Sequence, residues 1–138
     1  MMTNISVTKP VNCSSQNAWQ LIGPFENIHL WFPGILDNKT KGQGIGATRQ
    51  ITMAEDAVFV DELTHLGERE YSYKIIAGEL PFTDYLGTVS VSEENGNTQL
   101  NYRATINVSD ENKASSVEFL TAIYDSAFEN AKSQLESN

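Results

Sequence analysis

Apolar residues recur at every second position through most of this chain and at every third or fourth position near its end. Ile5 and Val7 share one side of a run over residues 3–11, which predicts a first strand. Ala18, Trp19 and Ile22 then take up helical spacing behind Ser14, whose hydroxyl can cap a helix N-terminus, and Gly23-Pro24 stops the pattern. Pro24 can open a second short helix in which Phe25 and Ile28 share a face, ended by Pro33-Gly34.

Strand-like alternation then returns over residues 47–53, 58–63, 69–76, 85–91 and 100–108. The turns between them fall at Ala54-Glu55-Asp56, Gly67-Glu68, Gly78-Glu-Leu-Pro81 and Asn95-Gly96-Asn97. Asn-Gly between alternating runs is a strong hairpin signal, and successive hairpins make an antiparallel sheet. Beyond them Val117, Leu120, Tyr124, Ala127, Phe128, Ala131 and Leu135 form one helical stripe, with Ser115-x-x-Glu118 as a possible capping box. An amphipathic helix of that length must lay its apolar face on the sheet. The expected architecture is α+β, one domain over residues 1–138. A curved antiparallel sheet wraps a long C-terminal helix, and two short helices follow the first strand.

Side chains alternate faces along a strand, so inward residues can be assigned by register. Arg49 shares the register of Ala47, Ile51 and Met53, and Glu62 that of Val58 and Val60. A hairpin centred between Glu55 and Asp56 puts Arg49 opposite Glu62, and a two-residue turn at Gly67-Glu68 puts Glu62 opposite Tyr73. An inward arginine needs an inward anion or a wet cavity, because an unpaired buried charge costs several kcal/mol. The pair could simply fix strand register, or it could anchor a ligand head group. Tyr71, Tyr85, Tyr102, Leu120 and Tyr124 are further inward candidates, and convergent phenols in an apolar interior suit a small-molecule site.

Composition narrows the function classes. A formal net charge of -9, with lysines and arginines scattered singly, argues against nucleic acid. A lone cysteine, Cys13, and two histidines at non-ligand spacing leave no metal or disulfide framework, and no cofactor is expected. Gly42-Gln-Gly44-Ile-Gly46 precedes a strand rather than a helix and so offers phosphate no helix N-terminus. No serine sits in a nucleophile elbow. The first residues lack a basic flank followed by an apolar run, so no secretory leader is expected, no window approaches membrane-spanning length, and a cytoplasmic protein is expected.

Trp31-x-Pro33-Gly34, Gly46-Ala-Thr-Arg49, the Val60-Asp-Glu62-Leu63 strand, Tyr71-Ser-Tyr73 and Gly78-Glu-Leu-Pro81, in that order, resemble the START-like helix-grip superfamily and its bacterial polyketide cyclase/dehydrase-like (SRPBCC) branch. The resemblance implies a cavity between sheet and C-terminal helix that holds a hydrophobic or aromatic small molecule. Arg49, Glu62 and Tyr73 would anchor its polar end, with Trp31 and Leu80-Pro81 at the entrance. A cyclase or dehydratase using the same cavity, and a protein-interaction module without one, are the alternative readings.

Overall fold

The structure, a computed structural model, describes residues 2–137. Strand β1 (Met2–Val11) leads into helix α1 (Ser15–Ile22) and a 3-10 turn (Phe25–Leu30). Six strands follow, β2 (Asp37–Lys41), β3 (Thr48–Thr52), β4 (Val58–Leu66), β5 (Glu70–Ala77), β6 (Thr83–Glu94) and β7 (Asn97–Asn107), and helix α2 (Asp110–Glu136) ends the described chain. They form one antiparallel sheet in the order β1-β7-β6-β5-β4-β3-β2, curled around α2 in the helix-grip arrangement. After β1, α1 and the 3-10 turn carry the chain from one edge of the sheet to the other, touching β6 and β7 and then β2.

Local chemistry sets the helix ends. Ser14 Oγ accepts from the Asn17 N–H at 3.1 Å, and the Gly23 N–H closes α1 on the Trp19 carbonyl at 2.8 Å. Helix α2 starts earlier than the Ser115–Glu118 pattern predicts. Ser109 is the cap, accepting from the Asn112 N–H at 3.3 Å, and Asp110 and Glu111 favour the positive end of the helix dipole. Ser115 lies inside the helix and donates to the Asn112 carbonyl at 3.2 Å.

One strand has no counterpart in the predicted pattern. Residues 37–41 read Asp-Asn-Lys-Thr-Lys, with no apolar alternation, yet they pair with β3 as the outermost strand. A sheet edge tolerates such a sequence because charged side chains discourage pairing with further strands.

The register of β4 differs from the expectation by one residue. The β3–β4 connection turns through Ala54–Asp56, with Glu55 and Asp56 both at positive φ, and this turn puts Arg49 opposite Asp61 rather than Glu62. A one-residue slip exchanges the faces of a whole strand. Asp61 and Leu63 are therefore buried, while Glu62 faces outward opposite Lys74, its carboxylate 3.4 Å from the Lys74 ammonium. Irregularities at Val60/Asp61 and Leu63/His65 also shift the β4–β5 pairing, so Tyr73 lies opposite Leu63. Among the described residues no helix is long and apolar enough to cross a membrane.

Candidate ligand cavity

A cavity of about 120 Å³ lies between the inner face of the sheet and the first half of α2. Ile51, Met53, Phe59 and Ile75 form its wall on the β3–β5 side, and Phe82 lines it at the start of β6. Phe119, Leu120 and Ile123 face it from α2, and Ile28, Phe32, Ile35 and Leu80 close it from the loops. Its polar lining consists of Asp61, Tyr73, Tyr85, Tyr102 and Tyr124.

The four phenols form a chain. The Tyr102 hydroxyl bonds to that of Tyr73, Tyr73 to Tyr85 at 2.8 Å, and Tyr85 to Tyr124. The rings of Tyr102 and Tyr124, at the two ends of the chain, stack at 3.8 Å with 7° between their planes, so the chain folds back on itself as a cluster. Strand alternation aims three of these rings inward, and the helical stripe aims Tyr124 at them. Gly87 makes the room. A Cβ there would stand 2.7 Å from the Tyr85 hydroxyl and 2.8 Å from Tyr73 Cζ, closer than any side chain could sit without moving the rings. Burial pushes all four phenols well above the ordinary tyrosine range, and their mutual proximity adds to it, so each remains protonated.

Arg49 lies beside this cluster but outside the cavity lining. It is wholly buried, with Nε donating to Asp61 Oδ2 at 2.8 Å and Nη1 donating to the Phe25 carbonyl at 2.8 Å and to the Tyr71 hydroxyl at 3.3 Å. Its Cζ sits 4.1 Å from the Phe25 ring centroid and 4.6 Å from that of Tyr73. Burial disfavours the guanidinium, but Tyr71 and Asp61 more than offset that, and Arg49 stays cationic. Nη2 is buried without a hydrogen-bond partner and is left with the aromatic faces around it. Removing Asp61 would leave that charge alone in the interior, at a cost of about 3–5 kcal/mol.

The structure thus brings together Tyr73, Tyr85, Tyr102, Leu120, Tyr124 and Leu80 around one space. Tyr71 and Arg49 stand behind it, and Glu62 is on the other side of the sheet. Trp31, expected at the entrance, is fully buried against Phe128, their rings 5.9 Å apart, because the corner after the 3-10 turn folds under the C-terminal half of α2. Pro81 is exposed and does not line the cavity, though its carbonyl accepts from Asn112 Nδ2 at 3.5 Å. Register reasoning missed Asp61 and Gly87. Phe59 and Leu63 share Asp61's register and were the available sign of the correct face. A glycine inside the alternating run Tyr85-Leu-Gly87-Thr-Val89 marks a place where something packs close to the backbone.

A curved sheet gripping a long helix over a mostly apolar cavity defines a helix-grip protein. Residues 2–136 match the family described as polyketide cyclase / dehydrase and lipid transport, and the chain belongs to it. The XoxI protein of Bacillus cereus superposes with a TM-score of 0.89 at 22% identity, covering 98% of this chain and 96% of that one. An uncharacterized protein from Bacillus thuringiensis gives 0.83 at 24% identity over 96% and 98%. StfQ, a di-domain ARO/CYC protein of the steffimycin biosynthetic pathway, gives 0.83 at 11% identity over 99% of this chain and 51% of its own. Likeness at these identities is likeness of fold. Comparison with curated proteins gives no match.

Proposed function

We propose that this protein binds a hydrophobic small molecule in the cavity between the sheet and α2. The observation that carries the reading is the convergence of four chained phenols on one part of an otherwise apolar space. Small-molecule sites have this composition, apolar walls with a few polar groups that fix orientation.

A thermal-shift panel of fatty acids, sterols, quinones and small aromatics tests the reading, run on the native chain and on Ile123→Trp. Ile123 is half-buried on the cavity wall, so an indole there fills the space without entering the close-packed core. A ligand at a hundred times its Kd stabilises by about 2.7 kcal/mol and should raise Tm by roughly 5–10 °C. The shift should vanish in Ile123→Trp. A shift that survives the substitution would place binding elsewhere. Recovering the ligand chemically unchanged separates carriage from the cyclase-type chemistry named in the family description.

A further inference from the structure

Resting on that reading, we propose that the ligand is an uncharged aromatic hydroxyl compound, a phenol or stable enol of about one ring in the cavity as it stands, and that Asp61 excludes carboxylates.

Charge comes first. Among the described residues lining the cavity, Asp61 is the only acidic one and no arginine or lysine is present. Arg49 would be the natural partner for a carboxylate, but it is walled off. Asp61, Phe25 and Tyr71 take the hydrogen bonds of Nε and Nη1, the rings of Phe25 and Tyr73 cover its plane, and the unpartnered Nη2 is buried outside the cavity lining. A ligand therefore meets the anionic member of the ion pair and not the cationic one. Bringing a second carboxylate to that face juxtaposes like charges in a poorly solvated space.

Hydrogen-bond capacity then chooses among neutral groups. Four phenols carry four protons, and the three hydrogen bonds of the chain use three. One proton is left for an acceptor outside the chain. Asp61, by contrast, can only accept. Its Oδ2 is taken by Arg49, and none of the hydrogen bonds described reaches Oδ1. Tyr73 ties the two groups together, with its ring over Arg49 and its hydroxyl inside the chain. A carbonyl could take the spare proton and give nothing to Asp61. A hydroxyl does both. Size sets the ring count, because an apolar cavity of about 150 Å³ holds benzene and this one is about 120 Å³.

Matched single-ring probes decide the matter by NMR titration at neutral pH: p-cresol, toluene and p-toluate, with Tyr124→Phe as the variant. The expected result is p-cresol bound roughly tenfold more tightly than toluene, and p-toluate roughly a hundredfold more weakly than p-cresol. Tyr124→Phe leaves three phenols with two hydrogen bonds, so one proton is still spare and p-cresol should keep its advantage over toluene. Toluene equal to p-cresol would overturn hydroxyl recognition while leaving the cavity as a binding site. Toluate binding as tightly as p-cresol would overturn the exclusion, because a carboxylate would then be reaching Arg49. If none of the three binds but a lipid from the wider panel does, this ligand class is wrong and the proposed function stands. If nothing in either set binds, both fall.

Discussion

The two halves of α2 meet different surroundings. Its C-terminal half is fastened. Asn130 Nδ2 donates to the Trp31 carbonyl at 3.0 Å and Gln134 Nε2 to the Leu30 carbonyl at 2.8 Å. The Lys9 ammonium reaches Asp125 at 2.9 Å, and Glu136 accepts from the Asn12 N–H at 2.8 Å. Between these ties Ala127 and Ala131 let the helix come close to its neighbours, and Phe128 stacks on Trp31. The N-terminal half carries the bulkier Phe119, Leu120, Ile123 and Tyr124, which face the cavity. Of the inter-element hydrogen bonds described above, this half has the long 3.5 Å bond from Asn112 to Pro81 and the link from Tyr124 to Tyr85. One helix thus serves as a fixed post at one end and as a wall at the other. The same sheet can be packed for stability on one side and left open for a ligand on the other, because the buried alanines and the ties to β1 and the Leu30–Trp31 corner gather at the fastened end.

Alkali should separate the halves with the largest effect. The phenols on the cavity side hold their protons in the folded chain well above the pH, about 10, at which unfolded tyrosines ionise. Unfolding therefore releases protons there, and stability, intact below pH about 10, is lost as the pH rises beyond it. Four such groups together give a slope of about 5 kcal/mol per pH unit, enough to unfold the domain within one or two units. Denaturant titrations across that range, with tyrosinate absorbance followed in parallel, should show ionisation and unfolding in one step. Phenols that ionise while the fold persists would mean that the cluster is wet and the wall looser than described.

Next in size is the fastened half. Trp31→Ala removes the ring stacked on Phe128 and tilted against Tyr102, and should cost about 3–5 kcal/mol in chemical denaturation. A loss below about 1 kcal/mol would remove the basis for calling this end the post.

These contrasts explain what could be read from the sequence. Six strands, the long helix and the inward direction of the strand tyrosines follow from period alone, since alternation fixes a face whatever the partner strand does. Residues 37–41 hold no apolar residue, so β2 is invisible until a partner strand is present. Asp61 was hidden by backbone conformation. Glu55 and Asp56 adopt positive φ without a glycine to announce it, and that single-residue change moves Glu62 out and Asp61 in. Trp31 looked like a rim residue because nothing in its own neighbourhood records that Phe128, far along the chain, will cover it. Local signals place elements, whereas the polar end of the cavity depends on how distant turns set register.

The smallest effect on stability is the most telling for the open half. Phe119 lines the cavity yet is 56% exposed, so Phe119→Ala removes little buried surface and should shift stability by less than about 1 kcal/mol. Its consequence lies in access. With the ring gone, the side of the cavity next to α2 is more open, and a bound aromatic should enter and leave faster with a smaller change in Kd. Amide exchange supplies the matching readout, because local opening is easiest where buried contacts and polar ties are fewest. Amides near residues 117–123 should exchange faster than those near 127–133 in the native chain. A saturating ligand should slow the first group and leave the second unchanged. Equal protection along the whole helix, unaffected by ligand, would mean that α2 is one rigid post and that ligands enter by another route.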